Sequence, residues 1–104
     1  MKIYCYNSSA VRTITDKGGK LWFVLTDIGK ILQFANVYMR ISKFDDDMKS
    51  THIIKSSGGN QVMTLISKYG VLRLLATTAK PKAKPFQKWL TSELLPAIHR
   101  GTQC

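Results

Sequence analysis

Apolar and polar positions alternate along the start of the chain and again in its middle. Residues 2–6 follow a period of two, which predicts a strand at the beginning of the fold. Residues 11–15 and 21–25 are separated by a turn with two adjacent glycines, and they predict a hairpin. Residues 51–55 and 61–66 flank a second glycine pair and predict a second hairpin.

Two short helices are predicted between these hairpins. The first runs over residues 28–33 with Thr26 or Asp27 as its N-cap, and the second runs over residues 37–43 after Asn36. Two short helices with a tight turn are found in helix-turn-helix proteins, but also in many folds that bind no DNA. The side chains that the second helix would present to a groove are Tyr38, Arg40 and Lys43.

Two further helices are predicted after the second hairpin. Ser67 is placed to cap a largely buried helix over residues 69–76. Residues 80–100 combine the densest basic run with apolar positions at three- and four-residue steps, which predicts a long helix with a kink before Pro96. We therefore predict a single α+β domain over residues 1–104, in which small antiparallel hairpins pack with short helices and one long C-terminal helix.

The charge of the chain points to a polyanionic partner. Sixteen Lys and Arg residues stand against six Asp and Glu residues, a formal net charge of +10 on 104 residues. Solubility alone does not require such an excess in a small domain. No apolar run is long enough to cross a bilayer, and the first residues are too polar for a signal peptide. We expect a cytoplasmic protein that does not associate with a membrane.

Residues that could carry metal or catalytic chemistry are few. His52 and His99 have no Cys, His or carboxylate partner at the spacing of metal ligands. Asp45–Asp47 are consecutive and cannot all converge on one cation, so a solvated turn is expected there. There is no Ser/His/Asp set and no cofactor loop. We expect no metal, no cofactor and no enzymatic activity.

Several short motifs resemble the Bro-N domain, the N-terminal module of baculovirus repeated-ORF (BRO) proteins and of many phage antirepressors. The motifs that carry the resemblance, in family order, are Val11-Arg12, Trp22-Phe23-Val24, Asp27-Ile28, Gly58-Gly59-Asn60-Gln61, Ser67-Lys68-Tyr69-Gly70-Val71, Leu74, Lys80-Pro81-Lys82-Ala83-Lys84, Phe86-Gln87-Lys88-Trp89-Leu90, Glu93-Leu94-Leu95-Pro96-Ala97-Ile98 and Arg100-Gly101. Pro85 departs from this pattern. The resemblance implies DNA binding and transcriptional control in a phage or virus, often by relief of repression, and larger members carry a second domain.

Three hypotheses follow for the partner. The first is double-stranded DNA, bound by a basic surface whose lysines contact phosphates. The candidate contacts are Arg40, Lys43, Arg73, Lys80, Lys82, Lys84, Lys88 and Arg100. The alternative is a repressor protein, gripped without direct DNA contact through surface anchors such as Tyr38 and Leu95. Single-stranded nucleic acid is a third option, for which the stacking platforms would be Tyr4, Tyr6, Trp22 and Phe23. Self-association into a homodimer is compatible with the first two.

Overall fold

Five antiparallel strands form one sheet in the computed structural model, which describes residues 2–78 and 80–96 except the side chains of Ile54 and Ser56. The spatial order is β1-β2-β3-β5-β4. The strands are β1 (Lys2–Tyr6), β2 (Ser9–Thr15), β3 (Leu21–Val24), β4 (Lys49–Ser56) and β5 (Gly59–Ser67). Both predicted hairpins are confirmed, but they are parts of a single sheet, because β3 of the first pairs with β5 of the second.

Helices pack on one face of this sheet. They are α1 (Leu25–Leu32), α2 (Val37–Arg40), α3 (Lys68–Ala76) and α4 (Ala83–Trp89), with a 3₁₀ turn at Asp46–Met48 and a π-helical segment at Leu90–Leu94. The α+β class is therefore confirmed. None of the helices in the described ranges is both long and apolar enough to span a bilayer.

Because neighbouring strands alternate in direction, the turns that connect them lie at two opposite ends of the sheet. The turns at Asn7–Ser8 and at residues 57–58 lie at one end, which we call the lower end. The β2–β3 turn at residues 16–20 and the start of β4 lie at the other, which we call the upper end. At the lower end β3 gives way to α1, which lies between the two flanking hairpins and contacts both β2 and β5.

Two of the short helices begin at a side-chain cap. Asn36 Oδ1 accepts from the N–H of Met39, 3.2 Å away, and caps α2 as predicted. Ser67 Oγ accepts from the N–H of Gly70 at 3.1 Å and caps α3 as predicted. The predicted cap of α1 is wrong, since this helix follows Val24 directly and has no side-chain cap. The prediction for the end of α2 is also wrong, because the helix stops at Arg40.

The predicted long C-terminal helix is wrong. Seven α-helical residues, Ala83–Trp89, pass into five π-helical residues, Leu90–Leu94. The Thr91 and Ser92 hydroxyls donate to the carbonyls of Gln87 and Lys88, at 3.0 and 2.5 Å, and so compete with regular backbone bonding. Pro96 has no N–H for the carbonyl four residues before it. Pro85 is tolerated because it lies in the first turn of α4, and residues 97–100 lie outside the described residues.

The core occupies the helix-bearing face of the sheet. Phe23, Ile66, Val11 and Tyr4 point into it from the strands, and the helices contribute Ile28, Leu32, Val71, Leu74, Phe86, Leu90 and Leu94. A smaller cluster of Trp22, Val24 and Leu65 lies on the other face. The second strand of the first hairpin is thus buried on both faces, as its unbroken apolar run predicts.

Candidate nucleic-acid interface

The end of α1 brings together cations that are distant in the sequence. Gln33 adopts a left-handed conformation (φ 57°), which ends the helix and is followed by Phe34. The guanidinium carbon of Arg40 lies 4.4 Å from the centre of the Phe34 ring, and Lys80 Nζ lies 5.2 Å from it. Lys80 Nζ also donates to the carbonyl of Gln33 at 2.7 Å, across 47 residues of chain. One ring and one carbonyl therefore position two cations from different segments.

Two more lysines lie beside this pair. Lys30, in the last turn of α1, and Lys82, just before α4, line the same cavity of about 380 Å³. Asn7, in the β1–β2 turn, lines this cavity too, which places it at the lower end of the sheet. We call Lys30, Arg40, Lys80 and Lys82 the basic cluster. Lys30 was not among the predicted contacts, because its basic neighbours are provided by other segments and not by nearby residues in the sequence.

Carboxylates are concentrated at the opposite end. Asp16 lies in the β2–β3 turn, and Asp45–Asp47 immediately precede β4. The contact of Lys20 Nζ with the carbonyl of Asp47, at 2.6 Å, joins these two segments at the upper end. A fifth carboxylate, Asp27, is paired with the guanidinium of Arg12. The basic cluster therefore faces solvent without these acids as neighbours.

The remaining predicted contacts are spread around the domain. Lys84 is exposed on α4 and lines a groove of about 490 Å³ with Lys80, so it extends the basic cluster. Lys88 lines a different cavity, of about 540 Å³, together with Glu93. This cavity shares Asn7 with the one beside Lys30, so the β1–β2 turn separates the two.

Three further predicted contacts, Arg73, Lys43 and Arg100, do not belong to the basic cluster. The guanidinium carbon of Arg73 lies 4.5 Å from the centre of the Phe44 ring, next to the acidic 3₁₀ turn. Lys43 is exposed in the turn after α2 and does not belong to a helix. In the helix-turn-helix hypothesis α2 is the helix that would enter the groove, and its four residues form only about one turn. Arg100 lies outside the described residues.

The aromatic side chains of the strands do not form a stacking platform. Tyr4, Trp22 and Phe23 are buried, and Tyr6 is half-buried, with its ring edge-on to Phe86 at 5.2 Å between centroids. Stacking with bases requires exposed ring faces. These four residues therefore do not provide the exposed rings that the single-strand hypothesis requires.

Metal-binding groups are not found in the parts of the chain that the structure describes. Within residues 2–78 and 80–96, no three His, Cys, Asp or Glu side chains are close enough to share an ion. The Asp45–Asp47 segment is exposed, as expected for a solvated turn. The groups that the basic cluster offers to a ligand are cations and hydrogen-bond donors.

Comparisons with known proteins show what the chain is similar to. A protein of Haemophilus influenzae (strain ATCC 51907 / DSM 11121 / KW20 / Rd), itself described as uncharacterized, is 33% identical over 94 residues, covering 86% of this chain. The chain spans 45% of the length of that relative. No solved structure matches significantly. The family model described as "BRO family, N-terminal domain" matches residues 10–96. Since this match covers most of the chain, the protein belongs to the BRO family and carries its N-terminal domain.

Proposed function

We propose that this chain is the DNA-binding domain of an antirepressor-like BRO-family regulator, and that it contacts duplex DNA through the basic cluster to control transcription. Membership of a family of phage and viral antirepressor-like proteins supports the regulatory part of the proposal. The observation that carries DNA binding is the convergence of Lys30, Arg40, Lys80 and Lys82 at the lower end, away from Asp16 and Asp45–Asp47.

The geometry of the cluster suits phosphate contacts. A lysine that binds a phosphate replaces a condensed counterion, so affinity depends on how many cations reach the backbone together. Lys80 uses one of its three N–H donors on Gln33 and keeps the others available. Arg40 and Lys80 are held over one ring, which reduces the side-chain entropy that binding would otherwise cost.

A pair of matched double variants tests whether the position of the charges matters. Lys30→Ala/Lys82→Ala removes two cations from the basic cluster, and Lys2→Ala/Lys17→Ala removes two exposed lysines from the upper end. Fluorescence anisotropy with a random-sequence duplex, titrated across salt, gives the slope of log affinity against log salt. We expect the first variant to flatten this slope by about two units, one for each lost contact, and the second to change it by well under one.

Three results would contradict the proposal. Equal effects of the two variants would mean that the protein responds to net charge and not to the basic cluster. No duplex binding at low salt would exclude DNA as the partner. Tighter binding to the matching single strand than to the duplex would assign the cluster to another nucleic acid.

A second candidate function, capture of a repressor protein, is favoured by the surface of α2. Tyr38 is 50% exposed and Met39 is 71% exposed, and both side-chain types are enriched in the buried centres of protein interfaces. Leu95 is half-buried and is a poorer anchor. Co-purification from a nuclease-treated host lysate tests this function: a retained partner that Tyr38→Ala releases and Tyr69→Ala does not would support it. Tyr69 is a suitable control because it is 65% exposed on another helix.

A further inference from the structure

The β4–β5 hairpin extends well beyond the sheet to which it belongs. β5 pairs with β3 only through Leu65–Ser67, whereas its pairing with β4 continues to Ser56 and Gly59 at the turn. Every side chain described within residues 51–62 is exposed. We call these residues the outer ribbon. It is about 20 Å long at the usual rise of a strand, and no third strand among the described residues lies beside it.

One face of the outer ribbon exposes an apolar pair that does not stabilise the ribbon by burial. Ile53 and Val62 are directly opposite each other across the two strands, and they are 56% and 68% exposed. Lys55 and Asn60 form the next pair on the same face, because side chains alternate along each strand. A two-stranded ribbon with an uncovered apolar pair is marginal in water. This face is therefore suited to contact with a partner.

The outer ribbon and the basic cluster project from the same end of the domain. The ribbon turn and the Asn7–Ser8 turn both lie at the lower end, and Asn7 lines the cavity that holds Lys30 and Lys82. No carboxylate occurs between Asp47 and Glu93 in the sequence, so the ribbon carries no negative charge. A partner that is attracted by the basic cluster meets no electrostatic opposition from the ribbon.

We propose that the outer ribbon inserts into the major groove of duplex DNA and that its Ile53, Lys55, Asn60 and Val62 face contacts base edges. This inference rests on the proposed function, since the basic cluster would hold the flanking phosphates. The major groove is about 12 Å wide and admits a two-stranded β-ribbon, whose strands are about 4.8 Å apart. Phosphate contacts position a protein, while base contacts specify the sequence.

The chemistry of this face fits base recognition. The Asn60 amide can donate to adenine N7 and accept from the adenine N6 amino group, and Lys55 can donate to guanine O6 and N7. Ile53 and Val62 offer apolar surface to the methyl group of thymine. Gln61 points to the opposite face of the same strand, next along from Asn60, and provides a matched amide control.

Selection of duplexes from a random pool, performed with the 104-residue chain, tests the proposal. The variants are Lys55→Ala/Asn60→Ala on the proposed reading face and Gln61→Ala on the other face. We expect the unaltered chain to enrich a motif, and the double variant to bind that motif about tenfold or more weakly than the unaltered chain does. Binding of the double variant to random duplex should fall only by the effect of one lost cation, and Gln61→Ala should preserve the selected motif. Thermal unfolding of each variant checks that the fold is retained.

The outcomes separate this inference from the function on which it rests. If the double variant selects the same motif with the same affinity, base contact by this face is overturned while DNA binding stands. If the unaltered chain binds duplex but enriches no motif, the basic cluster binds phosphates and the outer ribbon does not recognise bases. If no duplex is bound, the proposed function itself has failed. If Val62→Asp converts a dimer to a monomer in sedimentation and leaves the selected motif unchanged, the face is a contact between two copies of the chain.

Discussion

Asp27 accepts three hydrogen bonds from Arg12: one from its backbone N–H at 2.9 Å, one from Nε at 2.9 Å and one from Nη2 at 2.8 Å. The carboxylate lies where β3 has ended and α1 has begun, so it takes the place of a strand partner for the N–H of Arg12. The pKa of Arg12 is raised, mainly by the hydrogen bond from its side chain to Asp27. This pair connects β2 to α1 at the lower end of the sheet.

We predict that Asp27→Ala lowers the free energy of unfolding by about 2–3 kcal/mol. The Asp27 side chain is only 6% exposed, and removing it leaves the Arg12 N–H and guanidinium without their acceptor in a partly buried site. In a domain of this size the change corresponds to a fall in melting temperature of roughly 10–20 °C. Urea and thermal unfolding measure it. Asp45→Ala, at an exposed position, should stay within about 0.5 kcal/mol, and an equally small effect at Asp27 would contradict the role of the pair.

Two glycines should respond differently to the same substitution. A Cβ atom on Gly70 would lie 2.6 Å from Ile66 Cγ1 and 3.3 Å from the carbonyl oxygen of Met48. We expect Gly70→Ala to cost about 1–3 kcal/mol, because the first turn of α3 would have to move away from β5. A Cβ on Gly58 meets no atom within 4 Å. Gly58→Ala should therefore remain within about 0.5 kcal/mol in urea unfolding, and similar losses at both sites would refute the close approach of α3.

Protonation of Asp16, at the upper end, should be observable as the pH is lowered. The pKa of Asp16 is lowered, first by the hydrogen bond from Trp22 Nε1 at 3.1 Å and then by the backbone N–H of Lys20. A lowered pKa in the folded state gives a stabilisation that is present above the ordinary value, about 3.9, and is lost as the pH falls through the folded pKa. The Trp22 indole N–H signal in NMR spectra should follow this titration below that value.

Trp89 provides an internal control for the same experiment, because its ring packs against Tyr6 and Phe86 and not against Asp16. Its indole signal should not follow the Asp16 titration. Asp16→Asn should remove the corresponding loss of stability in acid. A Trp22 signal that titrates at or above the ordinary aspartate value would contradict the hydrogen bond.

Phe34→Leu should weaken duplex binding without changing any charge. The Phe34 ring positions Arg40 and Lys80, and each such contact at an exposed site contributes about 0.5–1 kcal/mol. We expect affinity to fall by the equivalent of one of these two contacts, about 2- to 5-fold in anisotropy measurements, while the salt slope stays the same because the number of cations is unchanged. Tyr69→Leu is the matched control, since Lys68 lies over that ring at 5.0 Å outside the cluster. Equal effects of the two substitutions would remove Phe34 from the binding surface.

The sequence alone determined the local features of this protein. The glycine pairs predicted both hairpins, and Asn36 and Ser67 were recognised as caps, because a turn or a cap depends on residues within a few positions of one another. The unbroken apolar run predicted a strand buried on both faces. The basic run from residue 80 also predicted Lys80, Lys82 and Lys84 as phosphate contacts.

The tertiary structure decided everything that depends on distant residues. Pairing of β3 with β5 unites the hairpins into one sheet and leaves the outer ribbon projecting. The Asp27 carboxylate binds Arg12, 15 residues earlier in the chain, and does not cap α1, which begins at Leu25. Lys30 joins Lys80 and Lys82 only when α1 meets the start of α4. Sequence spacing does not record such contacts, because they arise from chain segments that are brought together by the burial of a common core.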